Sequence, residues 1–362
     1  MRIRAERDDL ADVFARANRA VGTRSALPIL QGLLCEAVGS TLRVTGTDLE
    51  MTVRTSTEVE VREEGKVVIQ AKLAAEAVRK MPAGAITLGM ADGEVEITGN
   101  GPRFSLRQMA VDDFPTVGDE TAGSGLSVDG DAIAAAIAQV AVAASSDAAR
   151  PLLTGVLFEA GEDGGTRLVA TDSYRLALRD LPGVELEANG LVPARALREL
   201  GRTIGASKVQ IGIHPREAVF SSDRGHLWVR LIEGNFPKYR SLLPESYPNH
   251  IELAKEALLE ALGRASLVAE DHIPVRMRLM EGGAELTVTR QDVGGEAEHL
   301  SGEYQGSDEE VQVAFNPRYL TEGVAAIEGE RVRLEVIDGL KPCVVSGVGH
   351  SDFLYLLMPV RV

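Results

Sequence analysis

Two aspartates are the first residues whose surroundings suggest chemistry. Asp48 in TGTDLEM and Asp172 in VATDSYR each follow a short strand-like run, where an enzyme acting on DNA or nucleotides would hold a carboxylate nucleophile or base. The Thr-Asp pair recurs in two pseudo-equivalent segments. A recurring aspartate after a strand also has a plainer use, since its side chain can bond nearby backbone N–H groups and close a turn. Both readings are open on these residues, and the recurrence favours the turn.

The other reactive residue types lie apart. His214, His226, His250, His272, His299 and His350 have no acidic or thiol partner at ligand spacing, so no metal centre is expected. Cys35 and Cys343 sit in apolar runs (LLCEA, KPCVV) without CxxC spacing, which predicts buried free thiols rather than a disulfide or metal site. The glycine-rich stretches GEDGGT and EGGAEL lack phosphate-loop or dinucleotide spacing and read as hairpin turns. There is no GxSxG elbow. No catalytic constellation emerges, and no cofactor is implied.

The elements that would position these residues are organised by a repeat. Pro28, Pro151 and Pro274 recur at an equal interval in LPILQGLLCEA, RPLLTGVLFEA and IPVRMRLMEGG. A second landmark recurs just as regularly, with Pro115 in DDFPTV, Pro237 in GNFPKY and Pro359 in YLLMPV. The Thr-Asp segments follow the first landmark in two units, and VTRQDVGGEAEHL is a diverged third copy. The chain therefore reads as three homologous domains of about 120 residues, with boundaries 1–120, 121–244 and 245–362.

Apolar periodicity predicts helices at 8–20, 72–81, 129–144, 194–206, 255–268 and 316–327, two per unit. Between them lie short alternating strands (TLRVTG, EVEITG, KVQIGI, AELTVT, RVRLEV) separated by DG, GG and EG turns. This mixture without a regular βαβ rhythm predicts α+β domains with mainly antiparallel sheets.

At 44% hydrophobic and 25% charged, the 362-residue chain can build a core in each unit. No apolar run reaches membrane-spanning length, and Met1 to Leu10 is charged where a signal peptide would be apolar, so a cytoplasmic protein is expected. The net charge of −16 argues against a protein that coats DNA through a basic surface. The acidity is not uniform, however. The predicted helices are close to neutral and carry Arg16, Arg19, Lys72, Arg79, Lys80, Arg195, Arg198, Arg202, Arg264 and Arg318, while strands and loops hold the acidic excess. If the helices share one side, that side is basic; otherwise these are ordinary solvated helix faces.

LPIL from Leu27, GTDLEM from Gly46, RFSL from Arg103, DFP from Asp113, VATDSYRLAL from Val169, NFPKYRSLLP from Asn235 and the closing YLLMPVRV strongly resemble the bacterial DNA polymerase III beta subunits, the sliding clamps. The resemblance covers the whole chain. It implies three tandem DNA-clamp domains, with two protomers joined head to tail in a ring whose helices line the hole. It also implies a non-catalytic processivity factor that encircles duplex DNA, is loaded by a clamp-loader ATPase, and tethers replicative and translesion polymerases and repair proteins through a peptide-binding pocket.

Carried over by position, the resemblance makes Arg24 a DNA contact, and Arg79, Lys80, Arg198 and Arg202 are inferred channel cations. The implied peptide pocket comprises Arg150, Leu153, Thr171, Tyr174, Arg175, Leu176, Pro237, Leu242, Leu340, Pro342, Leu356, Met358, Pro359 and Val360. On residues alone, the C-terminal run also fits a core edge strand. Phe104 and Leu106 would meet Leu267 and Val268 across the dimer interface. The chain departs from the family pattern at Pro151-Leu152, where an aromatic pair is common, at Ser173-Tyr174, which stands for a Gly-His pair, and at Ser241. The rival readings are an enzyme using Asp48 or Asp172 and an interaction scaffold that never encloses DNA.

Overall fold

A computed structural model describes residues 1–22, 27–117, 125–161, 164–203, 205, 207–244, 246–269 and 273–361. Its six α-helices are α1 (Arg7–Asn18), α2 (Ala71–Lys80), α3 (Gly130–Ala141), α4 (Ala194–Thr203), α5 (Lys255–Ala265) and α6 (Pro317–Ala326). Each falls where periodicity placed it. Local chemistry sets the ends: α1 carries Asp8 and Asp9 in its first turn, and α2 carries Arg79 and Lys80 in its last, both favourable to the helix dipole. Asn316 caps α6 by accepting the Tyr319 N–H at 3.1 Å, with Pro317 as the first helical residue. Helices α3 and α5 stop short of their predicted ends because the chain tightens to i→i−3 bonds, Ala143 N–H to Val140 and Leu267 N–H to Arg264.

The chain forms two compact units, Met1–Ala134 with Leu186–Leu231, and Ala135–Glu185 with Ile232–Val362. The first holds a five-stranded antiparallel sheet ordered Glu60–Glu63, Arg2–Glu6, Ala85–Ala91, Glu94–Thr98, Arg103–Arg107. Its second sheet is ordered Leu126–Asp129, Lys208–Ile213, Glu217–Ser222, Gly225–Arg230, Met51–Glu58, Thr41–Thr47, Gly32–Val38, Gly65–Gln70. The two sheets and α1 and α2 enclose a core around Ile3, Leu10, Phe14, Leu33, Leu42, Ile69, Val78 and Ile97. The second sheet passes from the first repeat into the second where Met51–Glu58 pairs with Gly225–Arg230, in the register Val53↔Leu227.

The second unit repeats this arrangement. Gly155–Ala160, Thr166–Thr171 and Arg175–Leu181 lead into His350–Leu357, Cys343–Gly347, Arg331–Val336, Asn249–Ala254, Gly294–Gly306, Gly283–Arg290, Val275–Met280 and Glu310–Phe315. Here the joint between repeats pairs Arg175–Leu181 with His350–Leu357, in the register Leu178↔Leu354. Thus the compact units cut across the repeats, because strand pairing joins each repeat to the next. Gly323 in α6 lies so close to the buried Tyr355 that a Cβ there would come within 2.3 Å of the ring. No helix among the described residues is long and apolar enough to cross a membrane.

Candidate functional site

Asp48 and Asp172 occupy two copies of one turn. Asp48 Oδ1 accepts the N–H groups of Glu50 (3.0 Å) and Met51 (2.8 Å), and Asp172 Oδ1 accepts those of Tyr174 (2.9 Å) and Arg175 (3.1 Å). The hydroxyls of Thr47 and Thr171 donate to the carbonyls of Met51 and Arg175 at 3.2 and 2.7 Å. Leu49 and Ser173 each take positive φ, 73° and 82°, to complete the reversal. The remaining carboxylate oxygens are also committed, Asp48 Oδ2 to Arg195 at 2.6 Å and Asp172 Oδ2 to Arg175 Nε at 3.0 Å. A carboxylate so bonded closes a turn and has no free oxygen aimed at a substrate.

The thiols are equally disengaged. Cys35 and Cys343 are buried and unbridged, and burial pushes both well above the ordinary thiol range, away from nucleophilic reactivity. Among the described residues, no cluster of His, Cys, Asp or Glu has the makings of a metal site.

Cations gather instead on the helices of the first unit. Helices α1 and α2 flank a cleft of about 700 Å³ floored by Ala11, Ala15 and Ala75 and edged by Arg19, Lys72 and Arg79. The small alanines leave the space that the long cationic side chains surround. Arg79 and Lys80 are exposed and form no ion pair among the described residues. On α4, Arg198 is exposed, and Arg202 shares Glu199 with Arg19, at 3.6 and 2.8 Å. Arg19 and Lys72 join Arg79 here although only Arg79 was singled out; their signal was the same, a cation on the polar face of a predicted helix. Arg24 lies outside the described residues.

The second unit carries an apolar cluster edged by partly buried side chains. Leu176, Leu356 and Val344 sit side by side on three neighbouring strands, in the registers Leu176↔Leu356 and Val344↔Leu356. They pack with Val169, Leu178 and Tyr239, and with the partly buried Phe236, Leu243 and Met358. Exposed Pro237 and Leu242 flank Tyr239, whose hydroxyl donates to Glu159. Burial and that hydrogen bond push the Tyr239 hydroxyl up to about 12. Leu153 is buried in the turn Pro151–Leu153, next to exposed Arg150, which pairs with Asp147 at 3.0 Å.

At the edge of this cluster Met358 N–H donates to the Tyr174 carbonyl at 2.9 Å. Tyr174, 58% exposed, stacks on Tyr319 with ring centroids 6.4 Å apart. Arg175, on the first residue of its strand, is buried and bonds Asp172, Glu322 and the Tyr355 hydroxyl. Burial works against its charge, but Tyr355 and Glu322 outweigh that penalty and hold the guanidinium protonated beyond its ordinary range. Tyr319, which packs against Tyr174 and Arg175, was missed, and Arg318, whose guanidinium lies 5.4 Å from the Tyr319 centroid, was read only as a helix cation.

Not all fourteen candidates converge. Leu340, 62% exposed, and half-buried Val360 line a cavity of about 650 Å³ with Arg276 and Arg361, while Pro342 and Pro359 are half-buried. Among the interface candidates, Leu267 is 84% exposed in the turn after α5, followed by half-buried Val268. Phe104 and Leu106 lie on the edge strand Arg103–Arg107 with their side chains inward; Leu106 is a core residue and Phe104 packs against that core. What this strand exposes is its unpaired edge and the side chains of Arg103, Ser105 and Arg107.

Comparisons with known proteins agree along the whole chain. The N-terminal, central and C-terminal domain families of the DNA polymerase III beta subunit match residues 1–118, 127–238 and 240–361. The chain is 32% identical to the beta sliding clamp of Streptomyces coelicolor over 100% of both proteins. It is 35% identical to that of Micrococcus luteus over 78% of this chain and 93% of the other. Among solved structures, Caulobacter crescentus pol III beta superposes with a TM-score of 0.91 at 28% identity, covering 100% of each chain. With three consecutive domain matches on a fold that repeats its strand joints, the chain belongs to the DNA polymerase III beta subunit family of non-catalytic sliding clamps.

Proposed function

We propose that two copies of this chain close head to tail into a ring around duplex DNA, and that the ring tethers polymerases and other DNA-processing proteins through short peptides seated in a pocket at the Leu176–Leu356 cluster. The observation that carries the reading is a strand joint made twice and left open once. Met51–Glu58, after the Asp48 turn, pairs with Gly225–Arg230; Arg175–Leu181, after the Asp172 turn, pairs with His350–Leu357. The third copy of the turn segment leads into Gly294–Gly306, where residues 294–301 pair on one side with Gly283–Arg290. No partner is found for their other side among the described residues. The strand that corresponds to Gly225–Arg230 and His350–Leu357 is Arg103–Arg107, itself a sheet edge.

Two open edges of matching type on one chain form a heterologous contact, which closes with two copies if each supplies three domains of a six-domain circle. The exposed Leu267 supports an interface beside that joint. We take the domains as 1–120, 121–244 and 245–362. The cations Arg79, Lys80, Arg198 and Arg202 then act as weak, sequence-independent phosphate contacts on the helix side, compatible with sliding. A clamp-loader ATPase opens the ring, replicative and translesion polymerases and repair proteins use the peptide pocket, and the work is done in the cytoplasm.

The test is retention on nicked circular DNA after loading with a clamp loader, measured before and after a restriction enzyme cuts the circle. Loss on linearisation is expected from topological linkage. Retention that ignores the cut and falls steeply with salt would overturn the ring reading.

A further inference from the structure

All the residues that line the cleft between α1 and α2 belong to the first unit, and its volume of about 700 Å³ falls within the roughly 300–1,000 Å³ of small-ligand sites. Helical spacing builds its two walls. Ala11, Ala15 and Asn18 follow one face of α1 at i, i+4 and i+7, and Arg19 continues that face. Lys72, Ala75, Glu76 and Arg79 follow one face of α2 at i, i+3, i+4 and i+7. Gln31, the last residue of the short turn Pro28–Gln31, and Gln70, the residue before α2, also line the space.

Two kinds of polar group are left unused around this floor. Arg19 is held by Glu199 at 2.8 Å, but Lys72 and Arg79 are exposed and form no ion pair among the described residues, with Glu76 or otherwise. The side-chain amides of Asn18, Gln31 and Gln70 likewise have no hydrogen-bond partner among the described residues, although Asn18 and Gln31 are half-buried. An amide offers a donor and an acceptor together, so the matching ligand carries anionic groups beside an edge of mixed donors and acceptors. A nucleotide has both: phosphates that suit Lys and Arg, and a base edge that Gln and Asn can bond at two points. The carboxylates of an acidic peptide supply acceptors alone.

We propose that this cleft binds one unpaired nucleotide, with its phosphates on Lys72 and Arg79, its base on the alanine floor, and the Gln31 and Gln70 amides at the base edge. An intact duplex offers this face only its phosphates, because a stacked and paired base must leave the helix before a pocket can receive it. The site therefore differs from the sequence-independent phosphate contacts of the ring reading, and it is present in a single chain whether or not the ring closes. A free nucleotide and an unpaired nucleotide of a DNA strand share the chemistry that the cleft recognises.

Full-length protein at low salt would be titrated with ATP labelled on its ribose, followed by fluorescence anisotropy. Unlabelled ATP, inorganic triphosphate and a short single-stranded oligodeoxyadenylate would then compete. ATP should compete about tenfold better than triphosphate, because the base adds the amide hydrogen bonds. Gln31→Leu with Gln70→Leu should erase that advantage and leave triphosphate binding as in the wild type. Ala15→Trp, at an exposed helix position, should fill the cleft and abolish ATP binding. Lys72→Gln with Arg79→Gln should weaken ATP and triphosphate alike. An oligonucleotide that competes at lower concentration than ATP, and loses its binding in Ala15→Trp, supports the proposal with DNA as the source; the reverse order supports it with a free nucleotide. ATP and triphosphate competing equally, or ATP binding that survives both Ala15→Trp and the glutamine substitutions, overturns the proposal and leaves a plain cationic surface. No binding of ATP or the oligonucleotide overturns it as well. Failure of the circular-DNA test would end the ring reading and leave this one standing.

Discussion

The guanidinium of Arg175 lies 4.2 Å from the centroid of the Tyr319 ring, joining the start of one strand to a helix far along the chain. The same side chain, 6% exposed, bonds Asp172, Glu322 and Tyr355. Arg175→Met would leave the Asp172 carboxylate and the Tyr355 hydroxyl without this partner. Removing one member of a buried charge network costs about 3 kcal/mol, which corresponds to roughly 6–12 °C in the unfolding midpoint of a unit this size. Calorimetry would check it, and Arg175→Lys, which keeps the charge but not the fork, should lose less. A midpoint unchanged in Arg175→Met would remove this network from the account of stability.

Leu267 is exposed in the single chain, so truncating it costs the fold little and should act on assembly. Leu267→Ala with Val268→Ala is expected to raise the dimer dissociation constant about tenfold or more, since burying one leucine side chain is worth about 1.5–3 kcal/mol. Sedimentation of dilute protein reads this directly. An unchanged mass across the dilution series would place the interface elsewhere.

Arg79 and Lys80 close α2 without ion pairs among the described residues, free to meet phosphate. Replacing both by Gln should weaken duplex binding equally for all sequences and lower the slope of log affinity against log salt by about 0.9 for each phosphate no longer neutralised. A change that depended on base sequence would contradict a sliding mode of binding.

Asp147 is held below the ordinary aspartate range, first by the Ala149 N–H and then by Arg150. A depressed carboxylate contributes stability that is present above its unfolded pKa and is lost as pH falls through the folded value. Carbon NMR of the Asp147 carboxyl should therefore titrate below the ordinary range. In Arg150→Gln the midpoint should rise only part of the way back, because the backbone hydrogen bond remains. A full return would make Arg150 the main cause.

The local features were legible because their causes are local. All six helices follow from apolar periodicity, and α3 and α5 end early where the last turn tightens. The Asp48 and Asp172 turns could be read as turns because an aspartate bonds backbone only two and three residues ahead. The burial of Cys35 and Cys343 followed from their apolar neighbours.

The sequence by itself determined the threefold repeat, the α+β character of each unit and the absence of a conventional catalytic motif, since these are properties of composition, spacing and short-range bonding. Only the tertiary structure decided which strands join one repeat to the next, because the register Val53↔Leu227 or Leu178↔Leu354 is a choice among many edges of similar pattern. It alone turned Leu106 inward, brought Tyr319 against Tyr174 and Arg175, and gave Leu340 and Val360 to the cavity of Arg276. These outcomes depend on residues far apart in the chain meeting one another, where long-range packing and pairing, rather than local propensity, select the arrangement.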